Sequence, residues 1–163
     1  MRDGLGFRKE PEVQGAFPTD PYSHTPRHLG AQQPGMTGQV KEQIITRFGE
    51  LGIEVRDGCL HFEPRLITRS ELIDSPRLMD IAALDDGPTT LQLEPGSLAF
   101  TYCGVPVVYR EGDAAAVELE HMDGLMEHVD GTRLDESQSA SLFARRGAYR
   151  LLTVTVPTGS LYE

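Results

Sequence analysis

The feature that most constrains the fold is a series of short apolar or alternating runs that follows a single amphipathic helix. The first two runs, GIEV and CLHF, flank Asp57-Gly58, and Asp-Gly is a preferred two-residue hairpin loop. The later runs are TTLQL, SLAFTYC, VPVVYR, AAVELE and YRLLTVTV. Short strands at this spacing predict a mainly β fold, an antiparallel β-sandwich that occupies residues 52–163.

One helix is predicted before these strands, at residues 38–51. Its apolar residues recur at helical spacing on one face, with charged residues opposite. Thr37 is expected to be the N-cap, and Gly52 is expected to end the helix in a left-handed conformation. The apolar face consists of Val40, Ile44, Ile45, Phe48 and Leu51. The later stretch SQSASLFARRG is compatible with either a helical turn or a loop.

The first 36 residues show almost no hydrophobic periodicity. Residues 11–35 contain five prolines and only isolated apolar side chains, so they bury too little surface to offset chain entropy. Composition favours a disordered tail. A long loop over another domain stays open as the alternative, because Phe17, Tyr22 and the paired His24 and His28 are more specific than ordinary linker sequence.

Charge and hydropathy exclude several classes of partner. The formal net charge is −10, and an acidic surface repels nucleic acid and anionic lipid, so neither nucleic acid nor a membrane is expected to bind. No apolar run approaches the ~18 residues of a membrane-spanning helix. Cys59 and Cys103 lie in apolar runs without metal or redox spacing, which predicts buried free thiols. The sequence therefore predicts a soluble, cytoplasmic protein.

Two groups of residues raise the question of a metal. Residues 111–136 hold nine acidic side chains and one base, but no calcium-loop pattern, which favours a solvated surface. His24 and His28 have the spacing of a helical metal pair, yet Pro26 between them disfavours a helix. A loop metal site with Asp20 is the weaker alternative to sugar contact or solvent exposure. No metal and no cofactor is predicted.

Catalytic carboxylates are not identifiable from the sequence. Glu63 precedes Pro64 at a strand end, and Glu42 lies in the first turns of the helix. Glycoside chemistry needs a second carboxyl group ~5–10 Å away, which a linear sequence does not reveal. The catalytic residues therefore stay unknown.

Residues 35–66, GMTGQVKEQIITRFGELGIEVRDGCLHFEPRL, form one recognisable unit. It contains Thr37-Gly38, an amphipathic helix, Leu51-Gly52-Ile53, a strand, a glycine turn, and a strand that ends in an acidic residue and proline. This order resembles the end of the catalytic domain in the cellobiose and chitobiose phosphorylases, which belong to the six-hairpin glycosidase superfamily. The resemblance implies an (α/α)6 barrel that ends with residues 1–51 and a β-sandwich domain at residues 52–163.

The resemblance also implies a site and a chemistry. Such enzymes cleave β-linked disaccharides with inversion, using an acidic residue as general acid and inorganic phosphate as the attacking group. Thr37 would lie at the phosphate or reactive-water position, because a helix N-terminus has free N–H groups and a positive dipole end. Nearby residues expected to contact sugar or phosphate are Gly38, Gln39, Gln33, His24 and His28. The alternative is that Thr37 only caps the helix and the amides only fill a polar loop.

This sequence differs from the phosphorylases in two ways that affect the interpretation. Gln39, Val40 and Lys41 follow the Thr-Gly pair, where the phosphorylases have small residues and a tryptophan, so hydrolysis stays open beside phosphorolysis. An (α/α)6 barrel also needs about twelve helices of ~11 residues, whereas one is evident here. The sequence therefore predicts a C-terminal fragment of a carbohydrate-active enzyme that is inactive alone. The alternative is a non-catalytic carbohydrate-binding or structural β-sandwich module.

Overall fold

The structure, a computed structural model, describes residues 36–83 and 87–162. It divides into two units between Thr46 and Arg47. Helix α1 spans Met36–Glu50 and crosses this division, so its first three turns belong to the first unit. The second unit contains the last turn of α1 and all the strands described below. The predicted helix is thus present, although it begins two residues earlier than expected.

The second unit is mainly β, as predicted. In the described part of the chain, the elements after α1 are β1 (Ile53–Arg56), β2 (Cys59–Phe62), β3 (Arg77–Ala83), β4 (Gly87–Leu93), β5 (Ser97–Tyr102), β6 (Val105–Gly112), β7 (Ala116–His121), β8 (Met126–Asp130), α2 (Glu136–Phe143) and β9 (Tyr149–Pro157). All seven predicted runs are strands. The strands β3 and β8 have no counterpart among the predicted runs.

One five-stranded sheet organises this unit, with the strand order β5-β6-β9-β7-β8. Its neighbouring strands are antiparallel except for β6 and β9, which run parallel. The parallel pair is the exception to the predicted antiparallel arrangement. It arises because the chain leaves β6, forms the β7–β8 hairpin and α2, and returns beside β6 by this long crossover.

Each face of the sheet is covered by a two-stranded hairpin. Successive side chains of β6 point to opposite faces of the sheet. Val107 and Tyr109 lie on the inner face, and Val108 lies on the outer face. The hairpin β1–β2 and α2 cover the inner face, and the resulting core includes Leu60, Phe62, Val107, Tyr109, Leu119, Leu142, Leu152 and Val154. The hairpin β3–β4 lies over the outer face, where Leu91 and Leu93 line a groove together with Val108.

Turn chemistry accounts for much of this topology. Asp57 and Gly58 have φ angles of 50° and 77°, and Arg56 pairs with Cys59 across them, which confirms the predicted two-residue hairpin. Cys103 lies in the corresponding turn between β5 and β6, with φ 51°. Both cysteines are free thiols, but Cys103 is only half-buried because it lies in this turn.

The stretch SQSASLFARRG, for which a helical turn and a loop were both open, contains most of helix α2. Asp135 and Gln138 form a reciprocal capping box, with two N–H···O bonds of 2.8 Å. Ser139 is buried, and its hydroxyl accepts a hydrogen bond of 2.9 Å from the Leu60 backbone N–H. The cap starts the helix, and the Ser139 bond ties it to β2. None of the described helices is long and apolar enough to cross a membrane.

Candidate functional site

Some of the residues predicted to bind phosphate or sugar lie within the described part of the chain. Thr37, Gly38 and Gln39 belong to the first turn of α1, which begins at Met36. The N–H groups of a first helical turn have no partner within the helix and are available to an anion or a cap. Thr37 is therefore the second residue of the helix and lies two positions after the N-cap position, so its predicted N-cap role is wrong. The predicted residues His24, His28 and Gln33 lie outside the described residues.

The other end of α1 is fixed by backbone contacts. Gly52 has φ +68°, which confirms the predicted left-handed residue at the helix end. Its carbonyl accepts a hydrogen bond of 2.8 Å from the N–H of Glu63. A Cβ atom at this glycine would lie 1.9 Å from the Glu63 carbonyl oxygen. Only glycine allows the helix end and the end of β2 to come this close.

Side chains of the sheet hold the same helix end. The Tyr109 hydroxyl donates a hydrogen bond of 2.6 Å to the carbonyl oxygen of Leu51, one of the carbonyls that a helix leaves without an internal partner. Burial raises the pKa of Tyr109, so the phenol stays a protonated donor. The rings of Phe48 and Tyr102 meet edge to face with 5.6 Å between centroids. The last turn of α1 is thus an integral part of the β unit.

The predicted apolar face of α1 is not buried as a whole. Leu51 is buried and Phe48 packs against the core, whereas Ile44 is 50% exposed and Ile45 is 70% exposed. The predicted apolar face is therefore exposed at these two positions. The spacing marks an apolar face correctly, but spacing does not reveal what covers it.

Glu63 is held as an anion by two arginines. The guanidinium of Arg56 donates to both carboxylate oxygens, at 3.1 and 3.0 Å, and Arg65 donates at 2.7 Å. Hydrogen bonds from Arg56 and then Arg65 lower the pKa of Glu63 below its usual range. A general acid must carry a proton at working pH, so these contacts favour a structural role for Glu63. The side chain of Glu42 lies outside the described residues.

The acidic segment 111–136 is largely paired. Glu118 accepts from Arg110 at 2.9 Å, and Glu120 lies 3.3 Å from Arg150. Asp135 caps α2. Among the described residues, no group of three or more His, Cys, Asp or Glu side chains has the arrangement of a metal site. These contacts agree with the predicted solvated surface.

In comparisons with known proteins, no family model and no curated protein matches this chain.

Proposed function

We propose that this chain is the C-terminal part of a cytoplasmic carbohydrate-active enzyme of the glycoside phosphorylase or hydrolase type. Residues 1–51 would complete a helical catalytic barrel, and residues 52–163 would form the β domain behind it. The observation that carries the proposal is the division of α1. Its last turn is built into the β unit, while Ile44 and Ile45, one turn earlier, are half or more exposed.

The exposed isoleucines support a helical neighbour. Two adjacent large aliphatic side chains on a helix lose stabilisation of roughly 25 cal/mol for each square ångström left in water. The barrel of a complete enzyme supplies neighbouring helices that bury such a face. Helix α1 would then be the last barrel helix, joined to the β domain through Gly52, Leu51 and Tyr109.

The same arrangement gives a role to the start of α1. Thr37 and the free N–H groups of the first turn would hold inorganic phosphate or the reactive water. Gly38 would allow close approach of the ligand, and neighbouring polar side chains would contact an oligosaccharide. Those side chains are Gln33, Gln39, His24 and His28.

A non-catalytic carbohydrate-binding module is the second candidate, and the tyrosines disfavour it. Such modules present flat aromatic rings to the apolar face of a sugar. The chain has no tryptophan, and Tyr109 and Tyr149 are buried. Tyr102 packs against Phe48. Of the described tyrosines, Tyr162 is the one with a largely exposed side chain, so a purely structural role is the stronger form of this alternative.

Activity and binding assays on the 163-residue chain separate these candidates. We expect no glucose 1-phosphate or glucose from cellobiose, with or without inorganic phosphate, because the barrel that carries the general acid is missing. We also expect no binding of cello- or chito-oligosaccharides in calorimetric titrations. Turnover by the pure chain would refute the fragment proposal, and tight binding without turnover would establish the binding module instead.

A further inference from the structure

The five-stranded sheet has an edge strand whose outer side is unpaired. Strand β8 (Met126–Asp130) lies at one end of the strand order and pairs with β7. Among the described residues, no backbone group outside β7 forms a hydrogen bond with the backbone of β8. The N–H and C=O groups that point away from β7 are therefore available to another strand.

The opposite edge of the sheet, at β5, is partly covered. The N–H of Ile73 donates to the carbonyl of Ser97 at 2.9 Å, and the carbonyl of Ile73 accepts from the N–H of Gly96 at 2.7 Å. These two bonds protect the start of β5, as covering segments commonly do at sheet edges. The edge at β8 is thus the more accessible of the two.

Large apolar side chains lie exposed at the start of the β8 edge. Leu125 is 61% exposed and Met126 is 57% exposed, and Met122 in the same turn between β7 and β8 is also exposed. Methionine is flexible and polarizable, so it adapts to partners of different shape. Three such side chains within five positions favour an interaction surface, whereas single exposed apolar residues need no explanation.

The same hairpin is strongly acidic. Residues 116–130 contain five carboxylates and no lysine or arginine. Two of these carboxylates, on β7, form ion pairs with arginines of β6 and β9. The other three, Asp123, Glu127 and Asp130, have no lysine or arginine partner within the described residues. The edge therefore presents negative charge that a cationic partner would neutralise.

Each face of an added strand would meet one acid and one apolar side chain of β8. Val129 packs against the core, and Glu127 accepts a hydrogen bond of 2.7 Å from Gln138 of α2, so both lie on the inner face. Met126 and Asp130 lie on the outer face, because successive side chains of a strand alternate. A strand with basic and apolar side chains would thus find complementary cross-strand neighbours on both faces.

A second copy of this chain does not suit the same edge. Pairing β8 with β8 brings Glu127 and Asp130 close to the same acids of the other copy, and like charges on paired strands are destabilising. Charged side chains on an edge strand commonly prevent self-association. Charges that exclude a like-charged strand also select one of opposite charge.

We propose that the free edge of β8 binds an extended segment of another polypeptide that carries basic and apolar side chains. The segment adds a sixth strand to the sheet, with backbone hydrogen bonds to β8. Leu125 and Met126 contact its apolar side chains, and Glu127 and Asp130 pair with its basic ones. The edge does not involve residues 1–51, so this proposal does not depend on the proposed function.

The probe is the peptide acetyl-KVKVKVK-amide, titrated into the 15N-labelled protein. In either orientation its lysines reach an acid, Asp130 on the outer face or Glu127 on the inner face. We expect saturable amide shifts concentrated at residues 122–130. The peptide acetyl-EVEVEVE-amide has the same alternation and the opposite charge, so it should bind at least about tenfold more weakly.

Two N-methylated forms of the basic peptide, one methylated at its lysines and one at its valines, test the backbone pairing. Alternate N–H groups of a strand point to the same side. At least one form therefore loses its N–H bonds to β8 and should bind at least about tenfold more weakly. Equal binding of the three basic peptides would overturn the proposal. Equal or tighter binding of the acidic peptide would also overturn it, as would absence of saturable shifts at residues 122–130.

Asp130→Lys reverses a fully exposed charge at this edge and should raise the Kd of the basic peptide at least about tenfold. Asp74→Lys is the matched control, because Asp74 is exposed and adjoins Ile73 at the opposite edge. The two edges are four strand spacings of ~4.8 Å apart, beyond the ~8 Å Debye length at physiological ionic strength. An equal change in Kd in the two variants would show that net charge alone drives binding, and would overturn the proposal.

Discussion

Gly52→Ala is expected to lower the free energy of unfolding of the β unit by about 2–5 kcal/mol. Two costs combine at this position. The φ angle of +68° is unfavourable for alanine by ~1–2 kcal/mol. The new Cβ atom would also lie 1.9 Å from the carbonyl oxygen of Glu63, so the helix end and β2 must move apart, and such overpacking costs ~1–3 kcal/mol.

Gly58→Ala is the matched control for this prediction. Gly58 is also left-handed, with φ +77°, but a Cβ atom there would meet nothing within 4 Å. Only the conformational cost applies, so we expect a loss of ~1–2 kcal/mol. Urea denaturation of both variants gives the comparison through their midpoints and slopes. Equal losses in the two variants would show that the close approach to Glu63 contributes nothing.

In a complete enzyme, Thr37→Asn is expected to lower kcat roughly 100-fold while leaving stability nearly unchanged. This prediction depends on the proposed function. An oriented donor to developing charge typically contributes a factor of ~10²–10³ to turnover, and asparagine and threonine have similar propensities within a helix, so the cost in stability is small. Steady-state kinetics and thermal unfolding of the same variant give the two quantities.

Two further substitutions at Thr37 complete this test. Thr37→Ser keeps a hydroxyl and should keep most of the turnover. Thr37→Ala should lose turnover without losing stability, because residue 37 lies within the helix and alanine has a higher helix propensity than threonine. Full activity in Thr37→Asn would limit Thr37 to a structural role, and the proposed anion site at the start of α1 would then be wrong.

Local sequence signals predict those parts of this fold that depend on neighbouring residues. Asp57-Gly58 specifies its own hairpin, because both positions need positive φ angles. Gly52 marks the end of α1 for the same reason. The sequence pattern does not predict β8, because this strand is short, largely polar and at the edge of the sheet. The parallel pairing of β6 with β9 joins strands about 45 residues apart, and no local pattern encodes it.

The candidate site shows the same limit. The pattern of α1 identifies Ile44 as apolar and helical, but its exposure depends on which other elements are near. Glu63 looks like a free carboxylate in the sequence, whereas the β1–β2 hairpin brings Arg56, seven residues away, to its two oxygens. The free edge of β8 follows from the strand order of the sheet, so it is visible only in the folded chain.

Reading the coding sequence immediately upstream of Met1 tests whether this chain is the C-terminal part of a larger enzyme. If the chain is the C-terminal part of such an enzyme, the open reading frame continues upstream without a stop codon and encodes about eleven further amphipathic helices, as an (α/α)6 barrel of about twelve requires. Mass spectrometry of the native polypeptide should then find peptides that span this junction. An in-frame stop codon followed by a ribosome-binding site directly before Met1, with a native product of 18.0 kDa, would refute the proposal that the chain is a fragment.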